Sequence, residues 1–152
     1  MSQSPLRVLV VDDDEEDYLI LRDLLADYPQ GRFEMSWVGT LEEGVRALRA
    51  GAHDVYLVDY HLGPDNGMDL VRLAVAEHRT HRPVIMLTGH GSADVDSEAL
   101  AAGASDYLVK GSIDAEKLAR SLRYAAERAR QLQEVEDGKR RYRLLFELNP
   151  FP

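Results

Sequence analysis

Short apolar runs alternate along this chain with stretches whose apolar residues recur at helical spacing. Leu6–Val11, broken only by Arg7, predicts a first strand that runs into Asp12-Asp13-Asp14-Glu15-Glu16-Asp17. Acids suit a helix N-terminus, and Tyr18, Leu19, Leu21, Leu25 and Tyr28 then form an apolar stripe until Pro29 and Gly31 stop it. Phe33–Val38 predicts a second strand. Thr40-Leu-Glu-Glu43 is a capping box opening a helix to about Ala50, ended by Gly51. Val55-Tyr-Leu-Val58 followed by Asp59 predicts a third strand, apolar on both faces and so buried in a parallel sheet. Gly63-Pro-Asp-Asn-Gly67 is a loop, and Met68–His78 a helix turning Leu70, Leu73 and Ala74 inward. Pro83–Leu87 predicts a fourth strand, Thr88-Gly-His-Gly91 a loop, and Asp94–Ala102 a short helix closed by Gly103. Tyr107–Val109 is a fifth strand leading to Lys110-Gly111, and a last helix starts near Ser112 or Asp114 and runs past Gln133.

Strands alternating with helices predict an α/β fold, a five-stranded parallel sheet doubly wound by helices. Right-handed crossovers and the length of this unit favour the flavodoxin-like strand order 2-1-3-4-5, with an extended C-terminal helix. That order sets the ends of strands one and three side by side at the topological switch point. The acids after the first strand and Asp59 after the third should then meet in one crevice.

Composition narrows the class. The chain has 152 residues, 45% hydrophobic and 30% charged, enough for a core, and no cysteine for disulfides or thiolate metal sites. No apolar run approaches the roughly 18 residues of a membrane span, and the N-terminus lacks a signal-peptide pattern, so a cytoplasmic protein without a membrane partner is expected. The net charge of −9 is uneven: residues 1–112 carry 9 Lys+Arg against 20 Asp+Glu, while residues 113–152 carry 9 against 7. An acidic body argues against direct binding of nucleic acid.

Asp12, Asp13 and Asp59 would form a carboxylate cluster whose mutual repulsion raises pKa values. A hard divalent cation resolves this, and Mg²⁺ accepts a few carboxylate oxygens while keeping waters that a phosphate can displace. Thr88 offers a hydroxyl at the end of strand four, and Lys110 an ammonium at the end of strand five. A nucleophilic carboxylate, a metal, a hydroxyl and a lysine are what phosphoryl transfer to Asp requires.

These residues carry a resemblance. Val10-Val-Asp12-Asp13, Asp59, Leu87-Thr88-Gly89 and Gly103-Ala-Ser-Asp-Tyr107-Leu-Val-Lys110 stand in the order and on the elements of a receiver domain of two-component response regulators, over roughly residues 5–130. The resemblance implies Asp59 as phosphoacceptor, Asp13 as a direct Mg²⁺ ligand, Asp12 as ligand or water-mediated partner, and the backbone carbonyl of His61 as a further ligand. It implies Thr88 and Lys110 as the groups that grip the phosphoryl, Tyr107 as an aromatic switch, and a histidine kinase or phosphotransfer protein as donor. Each residue also has a plainer reading: acids capping a helix, a turn Asp, a solvated lysine, a strand-end threonine, a packed tyrosine.

Two departures from the family pattern stand out. Gly111 follows the lysine where many receivers have proline. His61 and His90 flank the pocket rim, where imidazoles could set the phosphoryl lifetime near neutral pH; two solvated histidines are the competing reading. His78 and His81 have helical spacing without a carboxylate nearby, which favours solvation over a metal site.

The tail has its own pattern. Leu118, Leu122, Ala125, Ala129 and Leu132 step by 4, 3, 4 and 3, a heptad seam that predicts a homodimer through the C-terminal helix. A register shift to Val135 with Gly138 reads as a hinge or stammer; a final helix packed on its own sheet is the alternative. Arg141-Tyr-Arg-Leu-Leu-Phe-Glu-Leu-Asn-Pro-Phe-Pro152 resembles the entry of a PAS sensor domain. The expected division is a receiver over residues 1–125, a signalling helix over 126–140 and the start of a PAS domain over 141–152, as in sensor kinases or cyclic-di-GMP enzymes. Two rivals differ in class: a phosphorylation-independent pseudo-receiver scaffold, and a haloacid-dehalogenase-like phosphohydrolase using Asp12-Asp13-Asp14, where Glu16 replaces the expected threonine.

Overall fold

The structure, a computed structural model, describes residues 4–29, 32–79, 81–89 and 93–148. Five strands, β1 (Leu6–Val11), β2 (Phe33–Val38), β3 (Val55–Asp59), β4 (Val84–Thr88) and β5 (Asp106–Val109), form one sheet in the order β2-β1-β3-β4-β5. Every neighbouring pair is parallel. Five helices wind it: α1 (Glu15–Ala26), α2 (Leu41–Ala50), α3 (Met68–Ala76), α4 (Ala93–Ala102) and α5 (Ala115–Leu148). This is the doubly wound sheet that the alternating pattern predicts.

Alternation within the strands divides the core in two. Val8, Val10, Val55, Leu57, Ile85 and Leu87 pack with Leu21 and Leu25 of α1 and Leu118, Ala119, Leu122 and Ala125 of α5. Their neighbours Leu9, Val11, Tyr56, Val58, Val84 and Met86 pack with Leu48 of α2, Met68, Leu70, Val71 and Ala74 of α3, and Ala99 of α4. Because both faces are covered, β3 is buried along its whole length, and Asp59 must end it in a nearly dry position.

Helix starts follow local chemistry. Asp14 caps α1, its carboxylate accepting from the Glu16 N–H at 2.9 Å. Thr40 caps α2, accepting from the Glu43 N–H at 3.2 Å while its hydroxyl donates to the Glu43 carboxylate at 3.0 Å. Gly51 closes α2 in the left-handed region at φ 69°.

Three details depart from the expected elements. The loop after β3 is a small hairpin, His61–Leu62 against Asp65–Asn66, because Leu62 is buried and Gly63 turns left-handed. Helix α3 ends at Ala76 rather than His78: Glu77 is held by Arg49 at 2.7 Å and Arg79 at 3.0 Å, and His78 takes φ 56°. Helix α5 runs through Gly138 without the expected hinge, with Arg130–Glu134 and Gln133–Asp137 contacts, each spanning one turn, in the stretch just before it.

The tail's apolar seam also divides. Leu118, Leu122, Ala125 and Ala129 are buried within this chain, so the first part of the seam belongs to its own domain. Leu132 and Val135 are exposed, as are Tyr142 and Leu145 further along the helix. Among the described residues, no helix is long and apolar enough to cross a membrane.

Candidate functional site

β1 and β3 are adjacent, and their connections leave to opposite faces of the sheet, through α1 and α3 respectively. The crevice at their carboxyl ends is the switch point at which open α/β sheets bind ligands. Asp12 sits here with no solvent exposure. Its N–H continues the ladder to the Val38 carbonyl at 3.1 Å, and its own carbonyl accepts from the Trp37 indole at 2.8 Å. One carboxylate oxygen, Oδ1, accepts from the Asp14 N–H at 2.9 Å. The other, Oδ2, is buried without a well-formed hydrogen bond, although the Lys110 ammonium lies 3.1 Å away. Burial pushes the Asp12 carboxyl up to about 6, with Asp59 adding to the rise, while the Asp14 N–H and Lys110 work against it.

Asp59 is held from both sides. Its Oδ1 faces the His61 N–H at 3.3 Å, and its Oδ2 accepts from the Lys110 ammonium at 2.8 Å. Lys110 ends β5 and opens a single 3₁₀ turn, Lys110–Ser112. From there its side chain crosses to β1 and β3 and also reaches Asp17 at 2.6 Å. Burial alone would lower the Lys110 ammonium's pKa, but hydrogen bonds to Asp17, Asp59 and Asp12 outweigh it and hold the group above its ordinary value. The lysine is therefore a fixed cation in an acidic pocket.

Asp12, Asp17 and Asp59 each bring a carboxylate oxygen within 4.8 Å of the others. Three hard oxygen donors around a buried, poorly satisfied Oδ2 fit a hard divalent cation. In sequence Asp17 is only the last of six consecutive acids that suit a helix N-terminus. It is the third residue of α1, after its Asp14 cap, and from that position a short side chain turns back toward the helix start. That spacing is the signal that could have found it.

The remaining residues of interest are placed as follows. Asp13 lies at the outer edge, where its carboxylate accepts from the Gly63 N–H at 3.0 Å. Thr88 is buried at the end of β4, one position beyond the residue paired with Asp59, and its hydroxyl makes a long 3.5 Å contact with the Leu108 carbonyl. Tyr107 is half-buried on β5 against the core beneath α3 and α4. His61 is exposed, its ring edge-on to Tyr60 at 4.9 Å. His90 lies outside the described residues, as do residues 149–152 of the tail.

The family model of the response regulator receiver domain matches residues 8–123. This chain belongs to that family. The receiver is 31% identical over 106 residues to the regulatory protein LuxO of Vibrio cholerae, a match covering 70% of this chain and 23% of the relative. It is similar in structure to the signal receiver domain of a LuxO repressor protein from Vibrio parahaemolyticus, with TM-score 0.75 and 25% identity, covering 88% of this chain and 98% of that one. It is also similar to the beryllofluoride-activated NtrC4 receiver domain dimer solved in solution, with TM-score 0.70 and 27% identity, covering 81% and 98%. The receiver thus spans about a quarter of the length of the curated relative it matches. As a member of this family it is a phospho-accepting signalling switch of two-component systems, and histidine kinases or phosphotransfer proteins are the partners of such domains.

Proposed function

We propose that Asp59 accepts a phosphoryl group from a partner's phosphohistidine, or from a small acyl phosphate, in a Mg²⁺-dependent transfer. The carboxylate oxygen of Asp59 forms the new P–O bond as the P–N bond to the imidazole breaks, and the departing imidazole takes up a proton. Asp12 and Asp59, with Asp13 and the His61 carbonyl as the family resemblance implies, hold the cation. When bound, the cation neutralises charge on the transferring group. Lys110 pairs with a phosphoryl oxygen and Thr88 donates its hydroxyl to another. The long 3.5 Å contact of that hydroxyl with Leu108 costs little to give up.

Movement of Thr88 toward the phosphoryl would open room on the strand-end side for Tyr107, coupling Asp59 to the surface beside α4 and α5. His61, exposed beside Tyr60, and His90, two residues after Thr88 in the sequence, set how readily water attacks the phosphoaspartate. Residues 1–125 act as the receiver, 126–140 as a signalling helix and 141–152 as the start of a PAS domain. A homodimer forms through the exposed Leu132, Val135, Tyr142 and Leu145 of α5, since the earlier seam positions are already covered. The name of the NtrC4 relative, a receiver domain dimer, supports association of this fold.

The observation that carries the reading is the Lys110 ammonium 2.8 Å from the Asp59 carboxylate at the switch point, with buried Asp12 beside both. Incubation with a phosphohistidine donor protein tests it. Label should pass to this chain only with Mg²⁺ present, and a chain that remains unlabelled with every competent donor and with acyl phosphates is a pseudo-receiver.

A further inference from the structure

The Lys110 ammonium occupies the middle of the carboxylate cluster, 2.6 Å from Asp17, 2.8 Å from Asp59 and 3.1 Å from Asp12. The Asp12 and Asp59 oxygens are those the cation would take in the reading above, so the lysine and the cation compete for them. Two like charges cannot share those oxygens closely. A Lys110 displaced from the cluster with no other anion nearby would either resist displacement or swing out to solvent. Asp17 changes that balance. It is the shortest of the three contacts, it comes from α1 rather than from the sheet, and its side chain is 31% exposed against 9% for Asp59 and none for Asp12. It stands at the open side of the cluster.

We propose that Asp17 is a positioning residue that keeps Lys110 docked at the pocket when Asp12 and Asp59 turn to the cation. The proposal rests on the Mg²⁺-dependent reading above. Asp17 holds the ammonium within reach of a phosphoryl oxygen on Asp59, and it lowers the cost of releasing Asp12 and Asp59 from Lys110. Asp13 does not serve this purpose, because its carboxylate is turned to the outer edge, where it accepts from the Gly63 N–H at 3.0 Å. Buried Asp12 Oδ2, the least satisfied oxygen of the cluster, is the atom most directly freed.

Trp37 supplies a readout independent of phosphorylation. It is the single tryptophan of the chain, and its indole donates to the Asp12 carbonyl at 2.8 Å. Mg²⁺ titrations followed by Trp37 fluorescence, confirmed by calorimetry, should be run on the parent chain, Asp17→Asn, Asp17→Glu, Lys110→Ala and the double variant Asp17→Asn/Lys110→Ala. Asp17→Asn should weaken Mg²⁺ binding about tenfold, the lower range for losing a group that orients a metal ligand. Asp17→Glu should recover most of that loss. In the Lys110→Ala background the same Asn substitution should have no effect, because no ammonium remains to be docked.

Unchanged Mg²⁺ affinity in Asp17→Asn would overturn the proposal. So would a loss that persists in the Lys110→Ala background, which would make Asp17 a direct cation ligand instead. If the parent chain itself binds no Mg²⁺, the Mg²⁺-dependent reading fails and this one with it.

Discussion

Gly67 and Asp59 meet backbone to backbone: a Cβ on Gly67 would collide with the Asp59 carbonyl. The Gly67 N–H also donates to the Tyr60 carbonyl at 2.9 Å, so the loop is clamped directly onto the end of β3. Gly67→Ala should therefore cost about 2 kcal/mol or more, since rigid backbone rather than a movable side chain stands in the way. Because the displaced atoms belong to the phosphoacceptor, phosphorylation should slow together with the loss of stability. Urea denaturation and acetyl phosphate labelling of the variant check both; a stable variant labelled at the parent rate would refute the close approach.

A second expectation concerns pH. The folded Asp12 carboxyl lies near 6, above its ordinary 3.8. A raised folded pKa means stability that is full below about pH 4 and is lost as pH rises through about 6. Ionised Asp12 is thus a burden on the cation-free domain at neutral pH. Asp12→Asn should be more stable than the parent by about 2 kcal/mol at pH 7.5 in chelator. That advantage should shrink by pH 5, where the parent has taken up its proton. Comparing the two chains cancels groups such as Glu77, held near 2 by Arg49 and Arg79, which titrate identically in both. A difference that does not change with pH would show that Asp12 is not the titrating group.

Much of the fold was legible because its causes are local. The apolar runs of β1 (after Arg7), β3 and β4, the Thr40 capping box and the left-handed Gly51 each act through neighbours in sequence. Strand order followed from handedness and length, and with it the meeting of Asp12, Asp59 and Lys110. What escaped depends on contacts across the chain. The 4-3-4-3 pattern of α5 cannot tell a partner helix from the chain's own sheet, and Leu118 and Leu122 face the sheet. Gly138, with the register shift to Val135, suggested a hinge or stammer, but a lone exposed glycine costs only about 1 kcal/mol within a long helix, and α5 runs on through it. Asp17 was one acid among six in sequence; its place three residues after the Asp14 cap was the available signal, and the reach of Lys110 from the far end of the sheet gives that place its meaning.

Ser121 ties α5 to the sheet. Its hydroxyl donates to the Asp106 carboxylate at 2.7 Å, while the other oxygen of Asp106 accepts from the Tyr107 N–H at 2.8 Å. The bond links α5 to the residue that precedes Tyr107 on β5. Ser121→Ala should destabilise the domain by about 1–2 kcal/mol, having left a half-buried acceptor short of one partner. Thermal unfolding measures this directly, and an unchanged midpoint would show that water replaces the hydroxyl without cost.

The exposed apolar residues of α5 give a fourth test. Val135→Glu combined with Leu132→Glu should abolish self-association while leaving the receiver folded, because both positions are exposed in the single chain. Sedimentation would show a dimer for the parent and a monomer for the variant. A parent that stays monomeric at high concentration, with and without beryllofluoride, would rule out the helix as a dimer contact.

The central claim is that Asp59 carries the phosphoryl group in a cation-dependent reaction, and intact mass after incubation with acetyl phosphate measures it most directly. The parent chain should gain the mass of one phosphoryl group with Mg²⁺ and none with chelator, and Asp59→Ala should gain none under either condition. A phosphoryl adduct on Asp59→Ala, or equal labelling of the parent with and without Mg²⁺, would contradict it.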